Sequence, residues 1–383
     1  MPYFSFSLKQ SFIKSSIRQM LLNHNFEPEI KYFSKNTNIW KILNKKYALN
    51  HLINLKFEKR NNYISYKNSV LFLMPPSIGL GDAIEYAIAV NSIRKKKIFK
   101  KIGIGFVEKY NYIFKNIFKF ENIYDYFITQ NELEKYETAF HFSKELIKLQ
   151  HQKYNRADIE KEVCNFFNTN IFRPTKKNVL KIKTLTLFPI STSPIRTMPA
   201  NLINSIISKF SKDIKIEIVL DNFYPTSKYL NSKILSKDVK LSFHNSIEEL
   251  CKIVECIEYG IFIDSGPLHL AKAFNKNGLF IETSVNHKVL LNKYTNFKIL
   301  RNTFNSNYCK GPCGLTNLFN LNNLSGCFYT HKIKQSNIKK IQNTNALQRG
   351  QLKQEYYKFM KYPVGCIKNI DLNKILNTIE KLL

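Results

Sequence analysis

Two glycines and an aspartate form the first segment whose residue types could support acid–base chemistry. Gly79 and Gly81 stand just before Asp82, after a short apolar run and ahead of a helical pattern. Glycine permits a tight turn and close approach of a ligand, and the first turn of a helix presents free N–H groups. Asp82 could accept a proton there, although an aspartate at a helix start more often caps the helix. The segment is not the dinucleotide fingerprint, because Ile84 occupies the third glycine position.

The second segment is rich in hydroxyl groups and carries one arginine. Ser191, Thr192 and Ser193 follow the apolar run 184–188, and Arg196 follows three residues later. Hydroxyl donors beside a permanently charged guanidinium suit a pyrophosphate group. An ordinary loop of serines and prolines fits the same residues, so this segment alone does not decide between the two interpretations.

The third segment is the most specific, since a polar turn follows an apolar strand pattern and leads directly into a helical pattern. Its residues are Asp264, Ser265, Gly266, Pro267 and His269, within the run 264–274. A helix start offers N–H groups and a positive dipole end to a phosphate, and small residues allow close approach. His269, one turn into the helix, could bind the same phosphate, although an isolated histidine there is more often structural.

All three segments fall where predicted strands end. Apolar strand patterns occur at 70–74, 102–107, 184–188 and 214–220, with helical patterns at 83–94 and 202–210. Strands that alternate with helices indicate parallel sheets built from βαβ units. Two such series, divided near residues 173–177, predict an α/β fold of two doubly wound domains that face each other across a cleft. Ligands bind beyond the carboxyl ends of the strands in such sheets.

The three segments together resemble those of glycosyltransferase family 9, the ADP-heptose lipopolysaccharide heptosyltransferases. The resemblance rests on Gly81-Asp82, on Pro189-Ile190-Ser191 with Arg196 and Pro199, and on the run 264–271. It covers residues 70–283, including the helical pattern at 246–257, with weaker agreement at 366–370.

This resemblance implies a GT-B fold of two Rossmann-like domains, with inversion at the transferred sugar carbon and no metal at the reaction centre. It implies that Asp82 is the general base, with Gly79 and Gly81 in its loop. The residues that it assigns to the donor are Ser191, Thr192, Arg196, Asp264, Ser265, Gly266, Pro267 and His269. A carboxylate that takes the acceptor's proton and fixed donors around the departing diphosphate are what such a transfer needs.

The sequence departs from the family pattern at several positions. Arg196 stands where a lysine is usual, Met198 where a tryptophan is, and Ile88 where a proline is. The residues that replace a common glycine and proline after the third segment are Asn275 and Asn277. These departures leave the predicted fold unchanged, whereas the identity of the nucleotide base and of the sugar in the donor depends on these positions.

The domain boundaries that we predict place a basic arm or edge of the first domain at 1–68. An acceptor-side domain follows at 69–176, a nucleotide-sugar domain at 177–345 and a helical tail with Cys366 at 346–383.

Four of the seven cysteines fall near the C-terminal end. They are Cys309, Cys313, Cys327 and Cys366. A close pair with two later partners suits a tetrahedral thiolate site for structural zinc or iron, and free thiols are the alternative. Some relatives that glycosylate autotransporter proteins carry a comparable iron, which is implied by the resemblance only. Cys164, Cys251 and Cys256 have the surroundings of core residues.

The charge of the chain favours acidic partners. Its 383 residues include 59 Lys and Arg against 28 Asp and Glu, a formal net charge of +31. Such an excess attracts phosphorylated lipid, an anionic membrane face or nucleic acid, although a compositional bias toward lysine explains part of it. The sequence has neither the apolar run of a membrane span nor the zones of a signal peptide, so we expect a cytoplasmic protein, peripheral on the inner membrane.

The partners that we expect are a nucleotide-diphosphate sugar of the ADP-heptose type and an acidic glycolipid acceptor, with no cofactor needed for catalysis. One alternative is a protein O-glycosyltransferase of the same fold with a cysteine-bound metal. The other is a basic nucleic-acid-binding protein, which the charge permits but for which no binding module is recognisable.

Overall fold

The computed structural model describes most of the two predicted domains. The described residues are 3–8, 32–34, 53–58, 68–74, 79–125, 132, 135–141, 158–173, 181–235, 238–291, 294–305, 310–314, 353–363 and 365–383. They divide into two compact units, of which the first contains the described residues up to Phe172 and the second those from Arg173 onward. The predicted division into four segments, with its exact boundaries, stays a prediction.

The first unit is built on a parallel four-stranded sheet. Its strands are β4 (Ser69–Leu73), β5 (Lys101–Phe106), β6 (Asn122–Asp125) and β7 (Thr138–His141), in the order β6-β5-β4-β7. Helix α1 (Leu80–Lys95) connects β4 to β5, and α2 (Ile159–Phe166) follows β7. A 3₁₀ turn at Glu108–Tyr110 and a π-helical turn at Ile113–Ile117 connect β5 to β6. Strands β1 (Tyr3–Leu8), β2 (Tyr32–Ser34) and β3 (Ile53–Glu58) form a separate antiparallel sheet.

Aromatic packing around Phe72 holds α1 and the end of α2 against this sheet. The ring of Phe72 on β4 lies edge-on to Tyr86, Phe140 and Phe167, with ring centroids 5.5–6.2 Å apart. Such pairs stabilise a core beyond the area they bury, by about 0.5–1.5 kcal/mol each. The hydroxyl of Tyr86 also donates to the carbonyl of Leu73 at the end of β4. The first turns of α1 are therefore fixed beside the carboxyl end of this strand.

The second unit contains a six-stranded sheet in which every strand is parallel to its neighbours. Its strands are β8 (Thr184–Phe188), β9 (Lys215–Asp221), β10 (Lys240–His244), β11 (Tyr259–Phe262), β12 (Asn277–Ile281) and β13 (Phe297–Leu300), in the order β10-β9-β8-β11-β12-β13. The helices among them are α3 (Ala200–Phe210), α4 (Pro225–Asn231), α5 (Ile247–Cys256), α6 (Gly266–Ala273) and α7 (His287–Leu290).

The C-terminal elements join the second unit. They are β14 (Phe304–Asn305), β15 (Lys310–Gly311), α8 (Lys353–Lys361), α9 (Gly365–Lys368) and α10 (Leu372–Glu380). Met360, Ile375 and Ile379 lie in the same buried cluster as the strand residues Leu187 and Ile261. The tail is thus part of the second core.

Two paired glycines make room for an aromatic ring in this sheet. Gly260 on β11 lies opposite Gly278 on β12, and a side chain at Gly278 would place Cβ 2.6 Å from the ring of Phe262. That ring stacks on Phe188 of β8, with centroids 5.0 Å apart. The stack fixes the ends of β8 and β11 side by side.

The strand order brings the second and third segments of the sequence together. β8 and β11 are direct neighbours, with Phe188 opposite Phe262, and parallel strands end at the same edge of a sheet. The loops that leave them, at 189–199 and 263–265, therefore lie at adjacent positions on the carboxyl edge. The α/β fold with parallel sheets is confirmed. Among the described residues, no helix is both long and apolar enough to cross a membrane.

Candidate functional site

An ion pair joins the two loops at the carboxyl edge of the second sheet. Arg196 Nη1 donates to the carbonyl oxygen of Asp264 at 2.6 Å and to its carboxylate Oδ2 at 2.9 Å. The side chains are 11% and 1% exposed. A buried ion pair is favourable only with good geometry and further hydrogen bonds, which the double contact supplies. It holds the guanidinium at the start of the third segment.

The loop after β8 is held by its own hydroxyl groups. Thr197 Oγ1 lies within hydrogen-bond distance of the carbonyl oxygens of Ser191 and Ser193, to either of which it can donate. It also accepts the N–H of Ser191. Thr226 on α4 donates to the Ser191 carbonyl at 2.9 Å. Ser191, predicted as a donor contact, is buried and accepts the N–H of Ser193 on its own hydroxyl. Its observed contacts therefore shape the loop.

Several polar atoms at this edge are buried without a hydrogen-bond partner among the described residues. They are Ser193 Oγ, Arg196 Nε, Ser265 Oγ and Thr283 Oγ1. A buried polar group left unpaired costs about 1–3 kcal/mol. These groups lie in the loops after β8, β11 and β12, which are adjacent strands of the sheet. Hydroxyl and guanidinium groups of this kind can hydrogen-bond the oxygens of a phosphate.

Helix α6 begins in the third segment, as predicted. Ser265 is its N-cap residue, but its side chain makes no capping hydrogen bond, and Pro267 lies in the first turn. Gly266 and Pro267 are half-buried, whereas His269 is buried in the same turn. Because Asp264 contacts Arg196 and directly precedes the N-cap residue, the N-terminus of the helix lies close to the Arg196 guanidinium. The positive end of a helix dipole and a guanidinium are thereby placed together.

A second polar cluster at this edge was missed by sequence reasoning. Glu282, 2% exposed directly after β12, accepts from the backbone N–H of His287 at 2.7 Å, and its Oε1 lies 2.6 Å from His287 Nδ1. Its other oxygen accepts the N–H of Asn302, after β13, at 3.1 Å. One carboxylate thus connects the loops that follow β12 and β13. The only sequence signal is an acidic residue at a strand end, which is common in loops.

Strand register places this cluster beside the ion pair. Phe262 on β11 lies opposite Phe280 on β12, so Asp264 and Glu282 follow at equal distances along neighbouring strands. Such strands are about 4.8 Å apart. Glu282 therefore stabilises the loop next to the predicted phosphate contacts.

Asp82 lies in the first turn of α1, in the first unit. The backbone N–H of Gly79 donates to its Oδ2 at 3.4 Å, so the side chain has the capping role that its position predicts. The residue is 8% exposed, and Gly81 beside it is half-buried. Because Asp82 and the loops of Arg196 and Asp264 belong to different units, their meeting stays a prediction.

The cysteine set is described only in part. Cys366 is buried and its Sγ lies against Gly311, where a side chain would collide with it, while Cys313 is half-buried. Cys309 and Cys327 lie outside the described residues. No three His, Cys, Asp or Glu side chains within the described ranges are grouped so as to hold a metal ion. The four-cysteine site stays a prediction.

The remaining cysteines include one correction. Cys164 and Cys251 are buried as expected, and burial, together with the charges of Glu255 and Glu248, raises the pKa of the Cys251 thiol to about 12. Cys256, which the sequence places in the core, is exposed. It is the last residue of α5, whose buried positions are Leu250, Cys251 and Val254, so it lies off the buried face.

Comparison with solved structures identifies the fold. The sequence matches no protein-family model and no curated protein. A glycosyltransferase of family 9 from Veillonella parvula DSM 2008 has a TM-score of 0.52 at 11% identity, covering 83% of this chain and 97% of that one. The iron-containing dodecameric glycosyltransferase TibC from enterotoxigenic E. coli H10407 has a TM-score of 0.50 at 9% identity, covering 86% and 79%. E. coli heptosyltransferase WaaC, solved with ADP-2-deoxy-2-fluoro heptose, has a TM-score of 0.44 at 11% identity, covering 61% and 93%.

The chain therefore has the fold of the family 9 glycosyltransferases, as its three segments predicted. At these identities the likeness concerns the fold, and the chemistry has to be argued from the residues of this chain.

Removal of the Glu282 carboxylate should destabilise the second unit strongly. Glu282→Ala leaves two buried backbone N–H groups without an acceptor, which should lower the free energy of unfolding by about 3 kcal/mol. Glu248→Ala, at an exposed ion pair, should change it by less than about 0.5 kcal/mol. Urea denaturation followed by circular dichroism measures both values. Equal effects of the two substitutions would show that the Glu282 cluster does not hold these loops.

Proposed function

We propose that this protein is an inverting glycosyltransferase that transfers a sugar from a nucleoside-diphosphate donor to an acidic glycolipid acceptor. The observation that carries the proposal is the Arg196–Asp264 pair, which fixes a guanidinium beside a helix N-terminus at the carboxyl edge of the second sheet.

The chemistry of this edge suits a diphosphate. Arg196 keeps its charge, and its Nε has no partner among the described residues. Ser193, in the same loop as Arg196, and Ser265, in the loop after β11, offer buried hydroxyl groups that a phosphate oxygen would satisfy. Hydrogen bonds to charged groups contribute about 1.5–3 kcal/mol each, so a few of them account for micromolar binding.

Asp264 gives Arg196 its orientation. A carboxylate close to a diphosphate would repel it. As long as Arg196 keeps its contact with Asp264 Oδ2, however, its guanidinium lies between this carboxylate and the diphosphate of the donor. We therefore assign the phosphate contact to Arg196, Ser265 and the start of α6, with Asp264 as their positioning residue. His269, buried in the first turn of α6, would support this turn from within.

The same groups would support catalysis without a metal at the reaction centre. When the bond between sugar and diphosphate breaks, negative charge grows on the departing phosphate. Fixed donors stabilise this charge without reorganising, which is the largest catalytic effect in many enzymes. A guanidinium and a helix N-terminus supply such donors.

Asp82 is the proposed general base. Its carboxylate accepts the N–H of Gly79 at the N-terminus of α1, which orients it, and a carboxylate can accept a proton in addition to such a hydrogen bond. In an inverting transfer it would take the proton of the acceptor hydroxyl as the new bond forms. The proposal requires that the Asp82 carboxylate reaches the acceptor hydroxyl while the donor is bound.

The sugar and the acceptor are assigned from the family resemblance and from charge. The resemblance supports an ADP-heptose-type donor and a lipopolysaccharide-core acceptor, although Arg196 replaces the usual lysine. The net charge of +31 favours a phosphorylated acceptor on the inner face of a membrane. A cytoplasmic, peripheral location follows from this assignment.

A protein O-glycosyltransferase with a cysteine-bound metal is the second candidate. The contact of Cys366 Sγ with Gly311 favours it, because Gly311 is only two residues before Cys313 in the chain. Thiolates suit structural zinc or iron, which would tie α9 to the segment of Gly311 and Cys313. Bound metal in the purified protein and a polypeptide acceptor would distinguish this candidate. A nucleic-acid-binding protein, in contrast, would leave the Arg196–Asp264 site unexplained.

Removal of the guanidinium should weaken donor binding. Arg196→Ala should lower the affinity for ADP by about 10- to 100-fold, because one or two charge-assisted hydrogen bonds are lost. Arg196→Lys should have an ADP affinity between those of the wild-type protein and the Arg196→Ala variant, since lysine keeps the charge but lacks the planar guanidinium. Calorimetric titration with ADP measures the affinities, with Lys252→Ala as a charge control far along the chain on α5. Unchanged affinity of the Arg196→Ala variant would remove this residue from the site.

Asp82→Asn should separate catalysis from binding. The amide retains an oxygen that can accept the Gly79 N–H, so the helix start should stay folded, but it cannot take a proton. Transfer from an ADP-heptose donor should fall by about 100- to 10,000-fold, while ADP affinity should change less than about twofold. Loss of both properties, or of neither, would show that the base is assigned to the wrong residue.

A further inference from the structure

The C-terminal end of α1 carries a dense group of cations. Arg94 and Lys95 end the helix, Lys96 is its C-cap residue and Lys97 comes next, and Lys100 and Lys101 follow at the start of β5. Lys95, Lys96, Lys97 and Lys100 are exposed. Two or three cations at a helix C-terminus are expected, because they offset the helix dipole. The remaining cations need another explanation.

Further cations lie on the same edge of the first sheet. Arg94 Nη1 donates to the carbonyl of Lys119 at 2.8 Å, and Lys101 Nζ lies 3.5 Å from the carbonyl of Lys135. Lys119 and Lys135 are both exposed and precede β6 and β7. We define the basic edge as Arg94, Lys95, Lys96, Lys97, Lys100, Lys101, Lys119 and Lys135. Glu121 and Glu137 are the carboxylates at the adjacent strand starts.

The lysines of the basic edge are poorly compensated, whereas Arg94 interacts electrostatically with Glu121. Within the described part of the chain, none of its lysines forms an ion pair with a carboxylate. Several lysines of the second unit do so, including Lys209 with Glu380 and Lys252 with Glu248. A compositional excess of lysine explains the number of cations but not their concentration on one edge where none of the described lysines pairs with a carboxylate.

Two of these lysines occupy backbone conformations that disfavour them. Lys97 and Lys119 each have φ of 53°, the left-handed region that glycine adopts most readily. Lys97 directly follows the C-cap residue of α1, where glycine is the usual residue. The other described non-glycine residues with positive φ are Asn168 and Asn275, and asparagine tolerates this region. The chain therefore places charge at two turns of the basic edge despite a conformational cost.

One apolar side chain is exposed beside these cations. Phe172 is 47% exposed, and Lys95 Nζ lies 3.3 Å from the centre of its ring. By contrast, Phe99, Phe118 and Phe120 near the same edge are at most 7% exposed and belong to the core. Single-stranded nucleic acid is bound by several exposed rings on which bases stack, and the described basic edge offers one. Lysines around a single aromatic side chain suit the headgroup region of a bilayer.

We propose that the basic edge of the first unit binds the surface of an anionic lipid bilayer, with Phe172 inserted at the headgroup level. This inference extends the membrane contact of the proposed function by assigning a surface to it. The binding does not depend on sugar transfer, so the two proposals can fail separately.

The position of α1 restricts the acceptor that such a complex could use. Asp82 lies in the first turn of this helix and Lys97 just beyond its last, so about 22 Å separate them at 1.5 Å per residue. With the basic edge on the bilayer, the proposed base stands well above the headgroups. The acceptor hydroxyl would have to be carried on several sugar units rather than next to the lipid.

Vesicle binding with charge-matched variants tests the assignment. We expect the wild-type protein to sediment with vesicles that contain phosphatidylglycerol and not with pure phosphatidylcholine. Each lysine near an anionic surface contributes about 1 kcal/mol, so Lys96→Gln, Lys97→Gln and Lys100→Gln together should weaken binding about 100-fold. The control replaces the ion-paired Lys209, Lys252 and Lys374 by Gln, which changes the net charge equally. It should weaken binding less than about threefold.

A single substitution separates charge from folding. Lys97→Gly should raise the melting temperature by about 1–3 °C, because glycine relieves the left-handed strain, while vesicle affinity should fall about fivefold. A folding defect would change both quantities in the same direction. Full vesicle affinity of Lys97→Gly and of the triple variant would overturn the proposal.

Two further outcomes would overturn it. One is an equal loss in the triple variant and its control, which would assign binding to net charge rather than to the basic edge. The other is release of the protein from vesicles by a 20-nucleotide RNA at a tenth of the lipid phosphate concentration, with RNA affinity lost in the triple variant only. That result would assign the basic edge to nucleic acid.

Discussion

The guanidinium of Arg196 lies on the carbonyl and carboxylate of Asp264, and the rest of the candidate site depends on this contact. It exists because β8 and β11 are neighbours in a parallel sheet and end at the same edge. The stack of Phe188 on Phe262, over two glycines, holds these ends in register. A permanent positive charge is thereby fixed where a helix begins, which is the combination that a diphosphate needs.

The stability of this edge and its polarity come from different residues that lie close together. Thr197 and Thr226 satisfy the backbone of the β8 loop, and Glu282 satisfies the loops after β12 and β13. Ser193 and Ser265 keep buried hydroxyl oxygens without a partner among the described residues. A scaffold whose own backbone groups are hydrogen-bonded can hold a few polar side chains in place without a partner. Such side chains are then positioned to hydrogen-bond a ligand.

The sequence predicts the parts of this arrangement that depend on local pattern. The strand at 184–188 and the helix after the turn at 264–266 have the expected positions, because alternation and glycine placement are local signals. The Glu282–His287 contact is not predictable in this way, since it depends on the packing of neighbouring strand ends. Cys256 shows the same limit, because one residue at a helix end decides whether a thiol lies on the buried face. Whether Asp82 meets Arg196 depends on two units that fold around separate cores.

The most direct test of the donor site is the melting temperature of the purified protein with adenosine, AMP, ADP and ADP-heptose. A ligand at 100 times its dissociation constant stabilises the folded state by about 2.7 kcal/mol, which corresponds to several degrees. If Arg196 and the start of α6 bind a diphosphate, ADP and ADP-heptose should raise the melting temperature, whereas adenosine should not and AMP should do so only weakly. Equal shifts with adenosine and ADP, or no shift with any nucleoside diphosphate or its sugar, would contradict a diphosphate site at this edge.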